Sequence, residues 1–387
     1  MRTIVNFCKA LMRDPLLWGA CVLLAVGTLM PALVPSGTYG MSDLRSEIEQ
    51  QHASLVQYLG DGSFDTAPDD MRALLQARND RMEEALAATD SRSFYKAAAE
   101  LAQLSVEMIQ RGYLSYDKLM AEADYEYSQA LADYGEAAPA SSTSELTLFE
   151  GATVSVACLP SVAWFLPVLV LAARALTMSR ERHLFEAPTQ SAGRRAALVF
   201  APLATGAAAI PPAVIAPALA LFGIRNGVGG AGQPITYVVG GDVKVTTTGA
   251  ALGLTLLFIV LSGLFLAALA ALLFRLTARP AVGVAGAALV AALPMFPGYF
   301  DASGPLAGIV AFLPSTYCAP ASLIPAAGNA AYFVMQCQAD IDPAAGAAGL
   351  LAGTALLVVA SALADRLALP RLAFPCLTSR RRKADPC

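Results

Sequence analysis

The chain has 387 residues, of which 56% are hydrophobic and only 14% charged, whereas a typical soluble domain carries about 25% charged residues. Residues 36–147 hold 20 Asp and Glu against 8 Lys and Arg, and the rest of the chain holds 10 against 18. This composition excludes a single soluble globule, and seven cysteines in such a length exclude a small disulfide-framework protein. We therefore predict an all-α polytopic membrane protein with one large polar domain.

Six apolar segments approach or reach the roughly 20 residues that a helix needs to cross a bilayer. They are residues 15–34, 152–173, 196–222, 249–274, 281–296 and 345–364. Four prolines interrupt the third segment, and the fifth is short for a full crossing. The Pro-rich residues 297–325 are apolar but too irregular for one helix. Irregular backbone at membrane depth must be buried in protein or line a cavity, so we predict a re-entrant segment there.

The positive charges of the short loops predict the orientation. One side carries 16 Lys and Arg, and the other carries only Arg225 and Lys244. Because short cytoplasmic loops are enriched in Lys and Arg, we expect both termini in the cytoplasm. The predicted parts are a surface helix with the first span (1–35), an extracellular acidic helical domain (36–147), a five-span membrane domain (148–370) and a basic cytoplasmic tail (371–387). The excess of Arg over Lys, 21 to 5, is typical of a GC-rich bacterial genome.

The N-terminal residues allow two interpretations. Residues 2–13 have the pattern of an amphipathic helix that lies along the inner membrane surface, with Ile4, Phe7 and Leu11 on its apolar face. Positive residues before an apolar run are also typical of a signal peptide. The run is as long as a membrane span and no clear Ala-x-Ala site follows it, so we favour a retained span.

The acidic domain has the pattern of a helical bundle. Pro68-Asp69-Asp70 is a helix-start signal, a second helix is predicted from Ser91, and Gly112 interrupts it. A heptad-like row then follows at Tyr113, Tyr116, Met120, Ala123, Tyr127, Ala130 and Tyr134. The tyrosines could line a ligand groove, although we favour the interpretation that they pack one helix on another. Residues 235–247 alternate around a Gly-rich turn and predict a β-hairpin.

Several catalytic patterns are absent from the sequence. It contains no GxxxxGK[ST] phosphate loop, no HExxH and no GxSxG, and we predict no cofactor, no metal and no nucleic-acid partner. Its two histidines, His52 and His183, fall on opposite sides of the predicted membrane. No Asp or Glu lies in the middle of a predicted span, which argues against a proton-driven antiporter. Two G-x-x-x-G pairs, at 249–253 and 349–353, allow close helix approach.

Two stretches carry a resemblance to a known family. Residues 179–191 contain a charged turn with Glu181 and Glu186 and end in Ala-Pro-Thr-Gln-Ser, before Arg194 and Arg195 at the next span. Residues 297–317 start with Pro-Gly-Tyr and end in Leu-Pro-Ser-Thr-Tyr. Together with the order of spans, these stretches resemble the permease subunits of type-2 ABC exporters that have a large extracellular insert between spans one and two.

The resemblance implies a transport subunit that is not itself an enzyme. ATP would be hydrolysed on a separate ABC ATPase subunit, and two permease subunits, identical or different, would form one pathway in the cell membrane. Energy must then reach the spans through a cytoplasmic element that both proteins contact. We predict that Glu181, Leu184, Phe185 and Glu186 form this ATPase-coupling element. The alternative for this loop is an Arg-rich, solvated connection.

Two further functions remain open at the level of sequence. The chain could be a membrane receptor or assembly protein whose extracellular helical domain binds a partner, or a membrane enzyme without a visible catalytic cluster. The predicted topology also brings Cys318 and Cys337 to the outer face. They could form a disulfide that closes a loop of about 20 residues, or Cys318 could stay reduced within the re-entrant segment.

Overall fold

The computed structural model describes residues 9–366 except residues 39, 63, 136–139, 141, 182–191, 240–241, 301–303, 307, 321–322 and 325–341. Most of the predicted N-terminal surface helix and the whole basic tail, 371–387, lie outside the described residues. The first described long helix, α1, spans Pro15–Leu33. Asp14 caps it by accepting a hydrogen bond from the Leu16 backbone N–H at 2.9 Å.

Four helices follow in the acidic domain, within residues 41–134. They are α2 (Met41–Gly60), α3 (Asp69–Ala87), α4 (Ser91–Gln110) and α5 (Lys118–Tyr134). The predicted starts after Pro68 and at Ser91 are confirmed, and the Asp90 carboxylate caps α4 through the Ser93 N–H at 2.9 Å. Gly112 adopts a φ of 74°, which favours glycine, where the chain reverses after α4.

The predicted second span is not one continuous helix. Helix α6 (Leu148–Ala157) ends before Pro160, a 3₁₀ turn covers Ser161–Phe165, and α7 (Leu166–Glu181) follows. Proline lacks a backbone N–H and disfavours helical backbone in the residue before it, so the prediction of one helix over 152–173 was wrong. The buried Trp164 indole connects the two sides of the interruption, because its Nε1–H donates to the Val156 carbonyl at 3.3 Å.

The third apolar segment forms α8 (Ala192–Asn226), which stays continuous although four prolines lie inside it. We expected these prolines to break the span, but neighbouring helices can compensate for the lost backbone hydrogen bonds. The predicted hairpin is confirmed as β1 (Pro234–Val239) and β2 (Asp242–Thr247), antiparallel with Pro234 opposite Thr247. It packs against α5.

Helix α9 (Thr248–Thr277) lies at the centre of the apolar bundle, because α8 and both later helices pack on it. These helices are α10 (Pro280–Ala292), extended by a 3₁₀ turn at Leu293–Met295, and α11 (Pro343–Arg366). Near the start of α1, Asp14 Oδ2 forms an ion pair with Arg174 Nε of α7 at 3.1 Å. This ion pair joins the start of α1 to α7.

Residues 297–325 are irregular wherever they are described, as we predicted. Short 3₁₀ turns cover Val310–Phe312 and Thr316–Cys318. The buried Tyr317 ring stacks on Phe258 of α9 with centroids 5.4 Å apart, and Ser262 Oγ of α9 donates to the Tyr317 carbonyl at 2.9 Å. The part of the irregular segment around Tyr317 is therefore buried in protein, whereas Ile309 and Phe312 are exposed. The re-entry of the segment into a membrane stays a prediction.

Five helical segments are long and apolar enough to cross a membrane: Pro15–Leu33, Ser161–Glu181, Val199–Asn226, Thr248–Thr277 and Pro343–Ala364. They indicate a mostly helical, multi-pass membrane protein. The predicted fifth span is short for a full crossing, as we expected, because α10 has 13 residues and so extends only about 20 Å. A typical hydrocarbon core is about 30 Å thick.

Candidate ligand cavity in the acidic domain

A cavity of about 930 Å³ lies inside the acidic domain, between α2, α3, α4 and α5. Tyr58 and Tyr116 line it and are 51% and 47% exposed, so the cavity reaches the surface. Tyr95, Met82 and Met108 also line it and are buried, so they form its floor. Volumes of about 300–1,000 Å³ are typical of small-molecule sites.

The packing order of the helices creates this space. Each helix packs on the next one in the chain, with α4 against both α3 and α5, whereas α2 packs chiefly on α3. Helix α2 is mostly polar and exposed, and its buried apolar side chains are Ile48 and Leu55. Two buried side chains hold α2 over the bundle without filling the gap between α2 and the α4–α5 pair.

The cavity wall is mainly apolar and aromatic. Four methionines contribute to it: Met71, Met82, Met108 and Met120. Methionine is flexible and polarizable, so such a wall adapts to ligands of different shape. Of the predicted tyrosine row, Tyr113, Tyr116 and Tyr127 line the cavity, whereas Ala123 packs with Val243 of the hairpin. The loop before α5 therefore presents Tyr113 and Tyr116 to the cavity, while α5 itself presents Tyr127 and packs Ala123 on β2.

Asp124 of α5 supplies a carboxylate to this wall. Burial, with a smaller contribution from the charge of Glu47, raises its pKa to about 7. Among the described residues, the Asp124 carboxylate has neither a hydrogen-bond donor nor a cationic partner. Near neutral pH this group therefore exchanges between a neutral acid and a poorly solvated anion.

Arg78 of α3 is the cationic side chain in the cavity wall. Its guanidinium donates through Nη2 to Gln51 Oε1 of α2 at 2.9 Å, and burial lowers its pKa from the ordinary value. Arg78 does not contribute to the shifted pKa of Asp124, which comes from burial and Glu47. Arg78 therefore ties α2 to α3 and is not the counter-ion of Asp124.

Two of the sequence-predicted site residues, Glu181 and Cys318, are described, and neither lines this cavity. Glu181 is exposed at the last residue of α7, while Leu184, Phe185 and Glu186 lie outside the described residues. Cys318 is buried in the irregular segment, and Cys337 lies outside the described residues. The coupling element and the Cys318–Cys337 disulfide therefore stay predictions.

Four residues of the cavity wall were not predicted from the sequence: Asp124, Glu47, Arg78 and Tyr95. A signal for Asp124 was available, because it lies four residues after Met120 and three before Tyr127, on the same helix face as the predicted row. A carboxylate on an aromatic face is a reason to expect a polar site there. No comparable pattern marks the other three residues, which lie on different helices.

In the described part of the chain, no group of three or more His, Cys, Asp and Glu side chains could hold a metal ion.

Comparison with family models, with curated proteins and with solved structures found no match. The function must therefore be inferred from the residues and geometry of this chain.

Proposed function

We propose that the chain is the transmembrane permease subunit of an ATP-driven type-2 ABC exporter, coupled to an ATPase on a separate chain. The observation that supports this best is the irregular segment between α10 and α11. It follows a short apolar helix, is buried against the central helix α9 and precedes the last apolar helix. This is the order of elements in the permeases that the sequence resembles.

The remaining architecture is consistent with that function. The acidic domain is inserted between α1 and the α6–α7 segment, where the resembling permeases carry their extracellular insert. We propose six crossings, with α10 and its 3₁₀ extension as the fifth, and an extracellular acidic domain on the basis of the loop charges. The irregular segment supplies non-helical backbone packed against α9, which membrane proteins tolerate where it is buried in protein or lines a cavity.

Coupling to the ATPase is proposed at the connection between α7 and α8. This connection begins at Glu181 and is the first one after the acidic domain on the predicted cytoplasmic side. Leu184 and Phe185 would enter an apolar groove of the ATPase, and Glu181 and Glu186 would pair with basic residues at its edge. An apolar anchor with a charged rim is a common basis of affinity at protein interfaces.

The test is co-purification of the chain with the ATPase encoded beside it, followed by ATPase and transport assays in proteoliposomes. Phe185→Ala and Glu181→Lys should each reduce the recovered ATPase about tenfold, because a buried anchor or charge at an interface typically contributes 1–3 kcal/mol. Both variants should still insert into membranes.

Val228→Ala is the matched control, because Val228 is exposed and follows the opposite end of α8. It should leave ATPase recovery unchanged. Normal recovery with both loop variants would exclude this connection as the coupling element. Failure to find any associated ATPase with a phosphate loop would overturn the exporter proposal itself.

The cavity favours a second candidate, a membrane receptor whose acidic domain binds a ligand. It differs from the exporter proposal in one measurable respect, because a receptor needs no ATPase partner for its activity. A purified chain that binds ligand but shows neither ATPase association nor vesicle transport would favour the receptor.

A further inference from the structure

We propose that the cavity of the acidic domain binds an organic cation, with an amine or onium centre near Asp124 and an apolar or aromatic body against the methionines and tyrosines. This site is separate from the membrane-spanning helices and does not depend on the exporter proposal. The inference combines three observations: an uncompensated carboxylate, an aromatic wall and a cavity of matching volume.

The carboxylate provides the charge recognition. A partly buried anion loses solvation that only a cation or hydrogen-bond donors can replace, and the described residues supply neither to Asp124. Glu47 adds negative charge near the same place. A ligand cation would stabilise the Asp124 carboxylate where the described residues do not, and the nearby charge of Glu47 would attract the same cation.

The aromatic side chains would also stabilise a bound cation. Tyr95 and Tyr127 line the interior, and Tyr116 lines the mouth. A cation over the face of an aromatic ring gains about 0.5–2 kcal/mol, and such rings also pack well against apolar bodies. The tyrosines therefore favour a soft, poorly hydrated cation over a small metal ion.

The volume of the cavity and the net negative charge of the domain are both consistent with an organic cation. A volume of about 930 Å³ accommodates a drug-sized molecule. Residues 36–147 carry a net charge of −12, which raises the local concentration of cations. The positive charge of Arg78 weakens this attraction locally. Its guanidinium, however, donates to Gln51 of α2 and does not contribute to the pKa shift of Asp124.

Binding of a permanent cation should strengthen as the pH rises through about 7, because Asp124 then becomes charged. The other titratable groups that line the cavity are Glu47 and Tyr58 of α2, Arg78 of α3, Tyr95 of α4, Tyr113 and Tyr116 of the following loop, and Tyr127 of α5. Burial raises the pKa of Tyr95 and Tyr127 from ordinary values that are already near 10. The hairpin that packs against α5 carries Asp242 and Lys244, which do not line the cavity.

The experiment uses the full chain in phosphatidylcholine nanodiscs, with tetraphenylphosphonium as a permanently charged, aromatic probe. Equilibrium dialysis at pH 8 measures binding above the level of empty nanodiscs. Asp124→Asn should weaken binding about tenfold or more, since an interaction with a charged group contributes roughly 1.5–3 kcal/mol. Asp133→Asn removes the same charge from an exposed position of α5 outside the cavity and should change binding less than about twofold.

Two further measurements separate recognition of charge from simple partitioning. Triphenylphosphine oxide, a neutral aromatic molecule, should bind wild type and Asp124→Asn equally. Lowering the pH from 8 to 5.5 should weaken binding of tetraphenylphosphonium to wild type and leave Asp124→Asn unaffected. Tyr127→Leu, which removes a ring but no charge, should weaken binding several-fold.

The proposal is overturned if wild type binds the probe no better than empty nanodiscs. It is also overturned if Asp124→Asn binds the probe as wild type does, or if the neutral molecule shows the same dependence on Asp124. None of these measurements uses an ATPase or transport, so their outcome is independent of the exporter proposal.

Discussion

Asp124 is a carboxylate that the fold places against methionine and tyrosine side chains. Its ionisation therefore depends on burial, which raises its pKa to about 7. In the unfolded chain the same group has a pKa near 3.9. Between these two values the folded protein holds a proton that the unfolded chain releases, so Asp124 couples the stability of the acidic domain to pH.

This coupling has a definite sign. The contribution of Asp124 to folding is fully present below about pH 4 and is lost as the pH rises to about 7. Since one pKa unit corresponds to about 1.4 kcal/mol, the loss is on the order of a few kcal/mol. Asp124→Asn, which resembles the protonated acid, should therefore raise the melting temperature of the domain at pH 8 and leave it nearly unchanged near pH 4.

Thermal unfolding of the purified full chain between pH 4.5 and 8 measures this difference, with Asp133→Asn as the reference for loss of an exposed charge. Other acids titrate in the same range, so the comparison between variants is the informative quantity. Parallel pH curves for wild type and Asp124→Asn would contradict the assigned burial.

Helix α10 approaches the central helix α9 more closely than a side chain permits. A Cβ on Gly283 would lie 2.5 Å from the Ala270 backbone oxygen of α9, a contact that neither helix can relieve by a rotamer change. The two G-x-x-x-G pairs of the sequence do not mark this contact. In the structure, Gly253 and Gly349 face open space.

Gly283→Ala should therefore separate α10 from α9 and destabilise the bundle by about 1–3 kcal/mol, the usual cost of overpacking. Gly253→Ala on α9 is the matched control, because a Cβ there meets no atom within 4 Å. Melting of the two variants in the same detergent gives the comparison. Equal melting temperatures would show that α10 does not lie this close to α9.

The whole molecule combines an apolar bundle with an acidic domain, and the orientation of the two parts relative to a membrane is open to direct test. In a chain whose other cysteines are replaced, Asp133→Cys places a thiol at an exposed position of the acidic domain. A membrane-impermeant maleimide should label this thiol on intact cells, because the loop charges predict an outer location.

Cys387, kept as the single cysteine in a second variant, should react only after the cells are permeabilised. It lies in the basic tail that we predict to be cytoplasmic. Labelling of Cys387 on intact cells, or of Asp133→Cys only after permeabilisation, would reverse the orientation and remove the coupling role proposed for the connection after Glu181.

Features that depend on neighbouring residues were determined by the sequence alone. Apolar length and charge predicted a multi-pass membrane protein, the Pro-Asp-Asp signal predicted the start of α3, and alternation predicted the hairpin. Each of these follows from contacts within a few residues, because helix starts, strand alternation and hydrophobic length are local properties.

The tertiary structure alone decided how distant residues meet. Asp124 and Tyr95 share a cavity because α2 packs chiefly on α3 and leaves a gap between α2 and the α4–α5 pair. The tertiary structure also decided which prolines interrupt a helix. Four prolines lie inside the continuous α8, whereas α6 ends before Pro160. The chemistry of proline is the same at all five positions. Packing around each proline differs, and no local pattern in the sequence records that packing.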